Sequence, residues 1–251
     1  MGTLLRFAGV ARRFGGILAL AGIDLEIRQG EIVGVIGPNG AGKTTLVNAA
    51  TGVHRPTAGE VHFEGRRIDR LRPDQIARLG VARTFQIVQP FPRMSVLENV
   101  AAAALFSGGA RSLSQARDQA RETLAFCGLQ EREALPAAAL SLAGRKRLEL
   151  AKSLAMRPRL LFLDEVNAGL NPAEMDAALA LIRATAARGI AIVLIEHLMK
   201  VVMQASHRIV VLHQGRLIAD GAPDAIVRDP AVIQAYLGNR YAQRHGTQAT
   251  P

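Results

Sequence analysis

Apolar and polar positions divide the chain into short segments of the kind that form strands and helices. Near the N-terminus, LLRFAGVA (residues 4–11) and AGIDLEI (21–27) are apolar stretches separated by glycines and charges. They predict strands of an antiparallel sheet. EIVGVIG (31–37) is almost continuously apolar and ends in a glycine-rich turn, which indicates a buried parallel strand.

The pattern then alternates between the two types of element. KTTLVNAATG (43–52) predicts a helix that is ended by Gly52. VHFEGRRI (61–68) returns to strand character, and a short helix follows around Asp74 to Leu79. Pro73 stands where the first turn of a helix tolerates proline.

A long helical stretch interrupts this alternation. From about Phe91 to Pro158, apolar residues recur at spacings of three and four. Strands and helices then alternate again, as LLFLD (160–164), a helix from Pro172 to Arg188, IAIVLIE (190–196), a helix after His197, and RIVVL (208–212). Such alternation requires a parallel sheet with crossover helices.

These elements predict an α/β fold made of one domain, residues 4–238. Its core (4–86 and 158–238) contains a mainly parallel sheet and an N-terminal antiparallel β subdomain. An α-helical lobe of about residues 87–157 is inserted into it. Residues 239–251 lack a clear pattern and are expected to form a frayed tail.

Composition and apolar run lengths bear on where the chain resides and on what it binds. No apolar run approaches the roughly 20 residues of a membrane-spanning helix, and the N-terminus lacks the apolar stretch of a secretory signal, so we expect a cytoplasmic chain. The single cysteine, Cys127, is interpreted as a buried small residue. The net charge of +10 is compatible with nucleic acid or an anionic membrane surface, but arginines are spread along the whole chain. We therefore interpret arginine as the solubilising residue.

GPNGAGKT matches the phosphate-loop pattern G-x-x-x-x-G-K-[ST] and lies between a predicted strand and a predicted helix. Its glycines allow the backbone to wrap a phosphate, whose charge then faces N–H groups and a helix N-terminus. Lys43 is expected to reach the β- and γ-phosphates, Thr44 to offer its hydroxyl to Mg²⁺, and Thr45 to add a phosphate contact. The predicted ATP-binding residues are Gly37, Pro38, Asn39, Gly40, Ala41, Gly42, Lys43, Thr44 and Thr45.

Two carboxylates follow a later apolar strand, LLFLDE (160–165). In α/β sheets, ligands bind at the carboxyl ends of the strands. Asp164 is therefore predicted to hold the Mg²⁺ shell, and Glu165 to polarise a water in line with the γ-phosphate.

Five further motifs, in this order and spacing, resemble those of the ABC ATPases. The motifs are Phe14 as an adenine-stacking aromatic, RTFQ ending in Gln86 as the Q-loop, LSLAG (140–144) in the place of the signature LSGGQ, AGLN (168–171) as the D-loop, and LIEHLM with His197 as the switch histidine. The resemblance covers about residues 4–238 and implies a RecA-like P-loop NTPase core. It also implies that Gln86 senses Mg²⁺ and the attacking water, and that His197 stabilises the γ-phosphate. Two alternatives stay open, since Phe14 can be a core aromatic and His197 a helix-capping histidine.

The resemblance also implies a dimer. In this family, two subunits pack head to tail, and each signature closes the partner's ATP site. Ser141 is then the hydroxyl that meets the γ-phosphate of the partner's ATP. The signature loop is followed by a helix, which suits an anion.

The chain departs from the family pattern at three places. Ala143 and Gly144 replace the second glycine and the glutamine of the signature, Val166 replaces the proline after the catalytic glutamate, and Asn171 replaces the D-loop aspartate. These changes bear on the signature contacts and on communication between two ATP sites. The phosphate loop, Asp164 and Glu165 are intact, so hydrolysis is expected.

Finer similarity points to the branched-chain amino acid uptake group. It is carried by RFGGILAL, ARTFQIVQPFPRMSVLENV, AGRKRLELAKSLA, LDEVNAGLNP and VIQAYLG. The group implies a second ATPase subunit, two membrane permeases and, indirectly, an extracytoplasmic solute-binding protein, with the motor at the cytoplasmic face of the inner membrane. Motors for urea or amides and for lipid or lipopolysaccharide share this domain. A soluble ABC ATPase that acts on nucleic acid is a further alternative, although no nucleic acid partner is expected.

Overall fold

The structure is a computed structural model that describes residues 2–84 and 90–237. Gln86 and the predicted tail lie outside the described residues. The chain divides into two compact units, one of Met1–Arg70 with Val193–Pro251 and the other of Leu71–Ile192. The predicted bounds of the helical lobe, about 87–157, stay a prediction.

The described residues form an α/β fold. In chain order, the elements are β1 (Thr3–Phe14), β2 (Ile17–Arg28), β3 (Ile32–Ile36), α1 (Lys43–Ala50), β4 (Ala58–Phe63), β5 (Arg66–Arg67), α2 (Pro73–Arg78), β6 (Val81–Arg83), α3 (Val96–Phe106), α4 (Leu113–Phe126), α5 (Leu142–Ala155), β7 (Leu160–Asp164), α6 (Pro172–Ala187), β8 (Ala191–Ile195), α7 (Met199–Ala205), β9 (Arg208–His213), β10 (Arg216–Gly221), α8 (Pro223–Ile226) and α9 (Pro230–Leu237). Short 3₁₀ turns cover Gln130–Arg132 and Ala137–Ala139.

The first unit contains the predicted antiparallel β subdomain. Its four strands lie in the order β2-β1-β4-β5, and every pairing that is described between them is antiparallel. In β2, buried Ile23, Leu25 and Ile27 alternate with exposed positions. This period of two buries one face of the strand and leaves the other face in water.

The same unit contains part of a mixed sheet. β3 is buried along its whole length and pairs in parallel with β9, with Val35 opposite Val210. β9 pairs antiparallel with β10. The buried parallel strand predicted at residues 31–37 is therefore confirmed. It leads directly into the phosphate loop.

Arg208 forms ion pairs with two carboxylates next to the start of β3. Arg208 donates through Nε to Glu31 Oε1 at 2.8 Å and through Nη1 to Asp220 Oδ2 at 2.7 Å. Burial alone raises the pKa of Glu31, but the hydrogen bonds from Arg208 and from the Arg28 N–H hold that pKa below its usual value. The carboxylate is thus kept charged beside the strand that leads to the phosphate loop.

The second unit contains β6 and β7, which pair in parallel, and the predicted helices. α3 begins with a capping box, in which Glu98 N–H donates to Ser95 Oγ and Ser95 N–H to Glu98 Oε2. The helices α3, α4 and α5 bury an apolar core that includes Val100, Leu124 and Leu148. All three helices lie in the stretch from about Phe91 to Pro158 whose periodicity predicted helix, so that prediction is confirmed.

Cys127 lies in this core, as predicted. The thiol is buried, and burial raises its pKa to about 12. Because the thiolate is the reactive form of cysteine, this residue packs as a small apolar side chain.

Within residues 2–84 and 90–237, no helix combines the length and the apolar character that a bilayer crossing needs.

Candidate nucleotide-binding site

The phosphate loop follows β3 directly and depends on glycine for its path. Gly37, Gly40 and Gly42 have φ values of 152°, 76° and 108°, where other residues are strained. A Cβ at Gly37 would lie 2.1 Å from the Leu212 carbonyl oxygen, and one at Gly42 would lie 2.6 Å from that of Ala19. Both space and backbone conformation therefore require glycine at these two positions.

Lys43 is the first residue of α1 and is buried at 7% exposure. Its Nζ donates to the carbonyl oxygens of Gly37 at 2.7 Å and Pro38 at 3.1 Å. The ammonium group is thus held across the loop at the N-terminus of the helix. Thr44 is exposed and Thr45 half-buried. A loop of this kind presents N–H groups, a positive charge and hydroxyls to one anion.

The turn between β9 and β10 is hydrogen-bonded to the phosphate loop. The N–H of Gly215 donates to the Ala41 carbonyl oxygen at 3.0 Å, and the Gly215 carbonyl accepts from Ala21 N–H at 2.8 Å. Gly215 has a φ of 75°, in the turn between β9 and β10. Nothing in the sequence indicates this contact, because a glycine in a hairpin turn carries no signal for a distant partner.

Phe14 ends β1 and is 39% exposed. The His54 ring meets it edge-on with the centroids 5.3 Å apart, and the Arg12 guanidinium lies 4.5 Å from its centroid. The partial exposure leaves ring surface for stacking, and adenine contact stays a prediction. His54 and Arg12 are neighbours that the sequence did not indicate.

In the second unit, Asp164 is the last residue of β7 and is buried at 6% exposure. Its backbone N–H donates to Thr84 Oγ1 at 3.2 Å, and Arg83 Nη2 donates to its Oδ2 at 3.3 Å. Arg83 and Thr84 belong to the RTFQ segment. The sequence motif predicts a role for Gln86 in that segment but none for these two residues.

Glu165 follows in a left-handed conformation, with a φ of 49°. A non-glycine residue in this region costs about 1–2 kcal/mol, and such strain concentrates at functional sites. The Glu165 carbonyl oxygen accepts from Ala168 N–H at 3.3 Å and from Lys146 Nζ at 3.1 Å. The left-handed backbone and these two donors therefore set the direction of the half-buried Glu165 side chain.

The remaining predicted residues are divided between the units. In the second unit, Ser141 is exposed and caps α5, with its Oγ accepting from Gly144 N–H at 3.2 Å. In the first unit, His197 is exposed and follows β8 after the buried Glu196. Their roles toward nucleotide stay predictions, as does that of Gln86.

Two of the departures from the family pattern acquire a local explanation. Asn171 caps α6 in a capping box, since Glu174 N–H donates to Asn171 Oδ1 at 2.9 Å and Asn171 N–H to Glu174 Oε2 at 3.0 Å. Asparagine and aspartate are about equally good caps, so the helix start tolerates the replacement. Val166 helps to line an apolar cavity of about 30 Å³ in the second unit, together with Ala143 and Leu170.

Replacing Asn171 by Ala is expected to lower the free energy of unfolding by about 1 kcal/mol, the usual loss for an N-cap. Asn171→Asp is the matched control and is expected to keep parental stability, because aspartate also caps and its charge suits a helix N-terminus. Urea unfolding followed by circular dichroism measures both. Parental stability of Asn171→Ala would show that the box contributes nothing.

Comparison with known proteins assigns the chain to a family. Residues 20–168 match the ABC transporter family, and residues 216–242 match the branched-chain amino acid ATP-binding cassette transporter. The chain is 43% identical to the high-affinity branched-chain amino acid transport ATP-binding protein LivG of Salmonella typhimurium, over 94% of this chain and 98% of that protein.

Solved structures agree with this assignment. A cassette of an ABC transporter in its ADP conformation is similar with a TM-score of 0.86 and 29% identity, over 95% of this chain and 100% of that one. A dimeric cassette in a post-hydrolysis state with ADP and Pi is similar with a TM-score of 0.77 and 26% identity, over 88% and 99%. The chain therefore belongs to the ABC transporter family, and it is an ATP-binding, ATP-hydrolysing subunit of that family.

Proposed function

We propose that this chain is the ATP-hydrolysing subunit of a branched-chain amino acid importer. The observation that carries the proposal is the likeness to LivG over 94% of the chain, which extends into the C-terminal segment that matches the branched-chain family model. The phosphate loop provides the nucleotide chemistry.

ATP binds to the phosphate loop of the first unit. Lys43 donates to the β- and γ-phosphate oxygens when these replace its present acceptors, Gly37 O and Pro38 O. The N–H groups of the loop and of the first turn of α1 contact the remaining oxygens. Phe14 stacks on adenine through the exposed part of its ring.

Mg²⁺ fits the donors that the chain offers. It prefers oxygen ligands and keeps several waters, with one or two carboxylates and the substrate phosphates completing its shell. Thr44 offers an exposed hydroxyl at the start of α1, Asp164 offers a carboxylate, and Gln86 is the third predicted ligand. When bound, the ion neutralises charge on the β- and γ-phosphate oxygens.

Glu165 acts as the general base or water orienter. Its carboxylate accepts a hydrogen bond from the attacking water, which raises the electron density on the water oxygen as the bond to phosphorus forms. His197 donates to the γ-phosphate and links the occupied site to closure of the dimer.

Ser141 contacts the ATP of a second ATPase subunit. Its Oγ already accepts the N–H of Gly144, which leaves the hydroxyl proton to donate to a phosphate oxygen. The exposed start of α5 adds a helix N-terminus, which favours an anion. The dimeric neighbour bound to ADP and Pi supports assembly in pairs. Binding of two nucleotides then biases the pair toward its closed state.

The permease contacts are proposed on the second unit. Phe91 and Leu135 are large apolar side chains that are 56% and 44% exposed. They lie on two segments joined by Val96 N–H to Leu135 O and Ala137 N–H to Met94 O, shortly after the Q-loop. Exposed apolar side chains on two joined segments are surface that a partner would cover, and this supports the proposal. Two permeases would bind the pair of ATPases at the cytoplasmic face of the plasma membrane, and the solute-binding protein would act through them.

The decisive experiment is transport in proteoliposomes. They would contain this chain, its partner ATPase and the permeases, with the solute-binding protein added on the opposite side. We expect ATP-dependent accumulation of labelled leucine, with competition by isoleucine and valine. Accumulation of urea or a short amide, or movement of lipid without amino acid uptake, would assign the alternative transport substrates. Salt-sensitive stimulation of the ATPase by DNA or RNA would assign the soluble class instead.

A further inference from the structure

The helix that carries the signature also touches the backbone of the predicted general base. Lys146 lies in α5, and its Nζ donates to the Glu165 carbonyl oxygen at 3.1 Å. Lys146 stands in a basic run, Arg145 to Arg147, whose charges favour a solvated helix face. Arg145 is exposed, but Lys146 is half-buried and points its ammonium group at the chain after β7.

Lys146 also takes part in apolar packing. It lines the apolar cavity beside Val166 and Leu170, together with Ala143 and Leu150 of its own helix. Lysine commonly packs its methylenes on apolar surface and extends the charge to a polar group. Here the polar group is a backbone carbonyl, so the contact is a charge-assisted hydrogen bond, which is stronger than a neutral one.

Glu165 needs such an anchor because its backbone is left-handed at a φ of 49°. On its N-terminal side, Asp164 N–H is fixed by Thr84 Oγ1. On its C-terminal side, the Glu165 carbonyl is fixed by Ala168 N–H and by Lys146. Loss of the Lys146 contact would let Glu165 relax out of its left-handed conformation at a φ of 49°. Because the peptide on its N-terminal side is fixed, such a change of φ would redirect the Glu165 side chain.

A second contact joins the same two segments. Leu142, in the first turn of α5, places its Cδ2 3.0 Å from where a Cβ on Gly169 would stand. The signature and the loop of residues 165–171 therefore touch at both Leu142 and Lys146. A displacement of α5 moves both contacts.

We propose that Lys146 is a positioning residue that couples the signature helix to Glu165 of the same chain. When the start of α5 contacts the ATP bound to the partner subunit, this contact sets the position of Lys146. Lys146 in turn sets the backbone conformation of Glu165. Hydrolysis at a chain's own phosphate loop then depends on contact of its signature with the opposite nucleotide. The inference rests on the proposed role of Glu165.

The test compares Lys146→Met with Lys146→Arg in the assembled transporter. Methionine keeps an unbranched stem over the cavity but removes the donor, and we expect kcat for ATP to fall about tenfold with KM unchanged. Arginine keeps a charged donor and is expected to restore most of kcat. Arg117→Met is the matched control, an exposed basic residue of α4, and is expected to keep parental kinetics. Thermal melting verifies that the variants fold, and Lys146→Leu, which also lacks a donor, serves if the methionine variant does not.

Combination with Glu165→Gln separates the two claims. If Lys146 acts through Glu165, Lys146→Met lowers kcat no further in the Glu165→Gln background. A parental kcat for Lys146→Met alongside an inactive Glu165→Gln would overturn this inference alone. A rise in KM together with a lower melting temperature would assign Lys146 a structural role instead. Parental turnover of Glu165→Gln would overturn the assignment of Glu165 and this inference with it.

Discussion

Replacing Glu165 by Gln is expected to lower kcat for ATP by about 10²–10⁴-fold, the range that a positioned general base contributes. Affinity for ATP is expected to stay close to parental, because the phosphate loop is unchanged. The variant is therefore expected to bind nucleotide and to stay in an ATP-bound dimer.

The physical reason lies in what the substitution keeps. Glutamine has the length and nearly the shape of glutamate, so the left-handed backbone at residue 165 and the Lys146 contact to its carbonyl need not change. The negative charge is lost, and with it the strong acceptor for a proton of the attacking water. An effect on turnover without an effect on folding thus isolates the carboxylate.

The measurement has three parts. Steady-state ATPase gives kcat, a fluorescent-nucleotide titration gives affinity, and gel filtration with and without ATP gives the oligomeric state. Glu122→Gln is the matched control, since it makes the same change at an exposed position of α4. If Glu165→Gln hydrolysed ATP at the parental rate, another group would have to activate the water.

The sequence predicted the parts of the fold whose signal is local. β3 and β8 are short, uninterrupted apolar runs, and β7 is apolar up to its last residue, Asp164. These strands stood out because both faces of each are buried. β6 was not predicted, because three residues, Val81–Arg83, are too few to show a period. β10 was also missed, since its positions are mostly half-buried and lack a clear alternation.

In the candidate site, too, the features with a local sequence signal were predictable and the long-range contacts were not. Lys43 and its glycines are identified by spacing within eight positions, because one loop has to wrap one phosphate. The contacts of Arg83 with Asp164 and of Lys146 with Glu165 join residues 81 and 19 positions apart. Neither separation is set by a helix or strand period, so only the tertiary fold reveals them. The candidate binding residues were therefore predictable from the sequence, and the residues that hold them in place were not.

The second large effect is expected at Lys43. Lys43→Ala is expected to weaken ATP binding on the order of 100-fold, since truncating one partner of a buried charge pair costs about 2–5 kcal/mol. Turnover at limiting ATP falls with it. The substitution therefore separates from Glu165→Gln, which lowers turnover and leaves affinity unchanged.

The geometry explains why charge alone is insufficient at this position. Lys43 is buried, and its Nζ reaches Gly37 O at 2.7 Å and Pro38 O at 3.1 Å, so the ammonium is already aimed across the loop before phosphate arrives. Arginine would keep the charge but bring a larger planar group into the buried space where Lys43 Nζ now lies between the Gly37 and Pro38 carbonyl oxygens. Lys43→Arg is therefore expected to bind ATP nearly as weakly as Lys43→Ala.

A fluorescent-nucleotide titration measures these affinities, and circular dichroism verifies that the variants fold. Lys200→Ala is the control, because it removes an exposed lysine of α7 in the same unit and is expected to bind like the parent. Parental affinity in Lys43→Ala would mean that the backbone N–H groups and the helix N-terminus hold the triphosphate without the lysine. Recovery of affinity in Lys43→Arg would mean that charge, rather than the fit of the ammonium between the two carbonyls, determines binding.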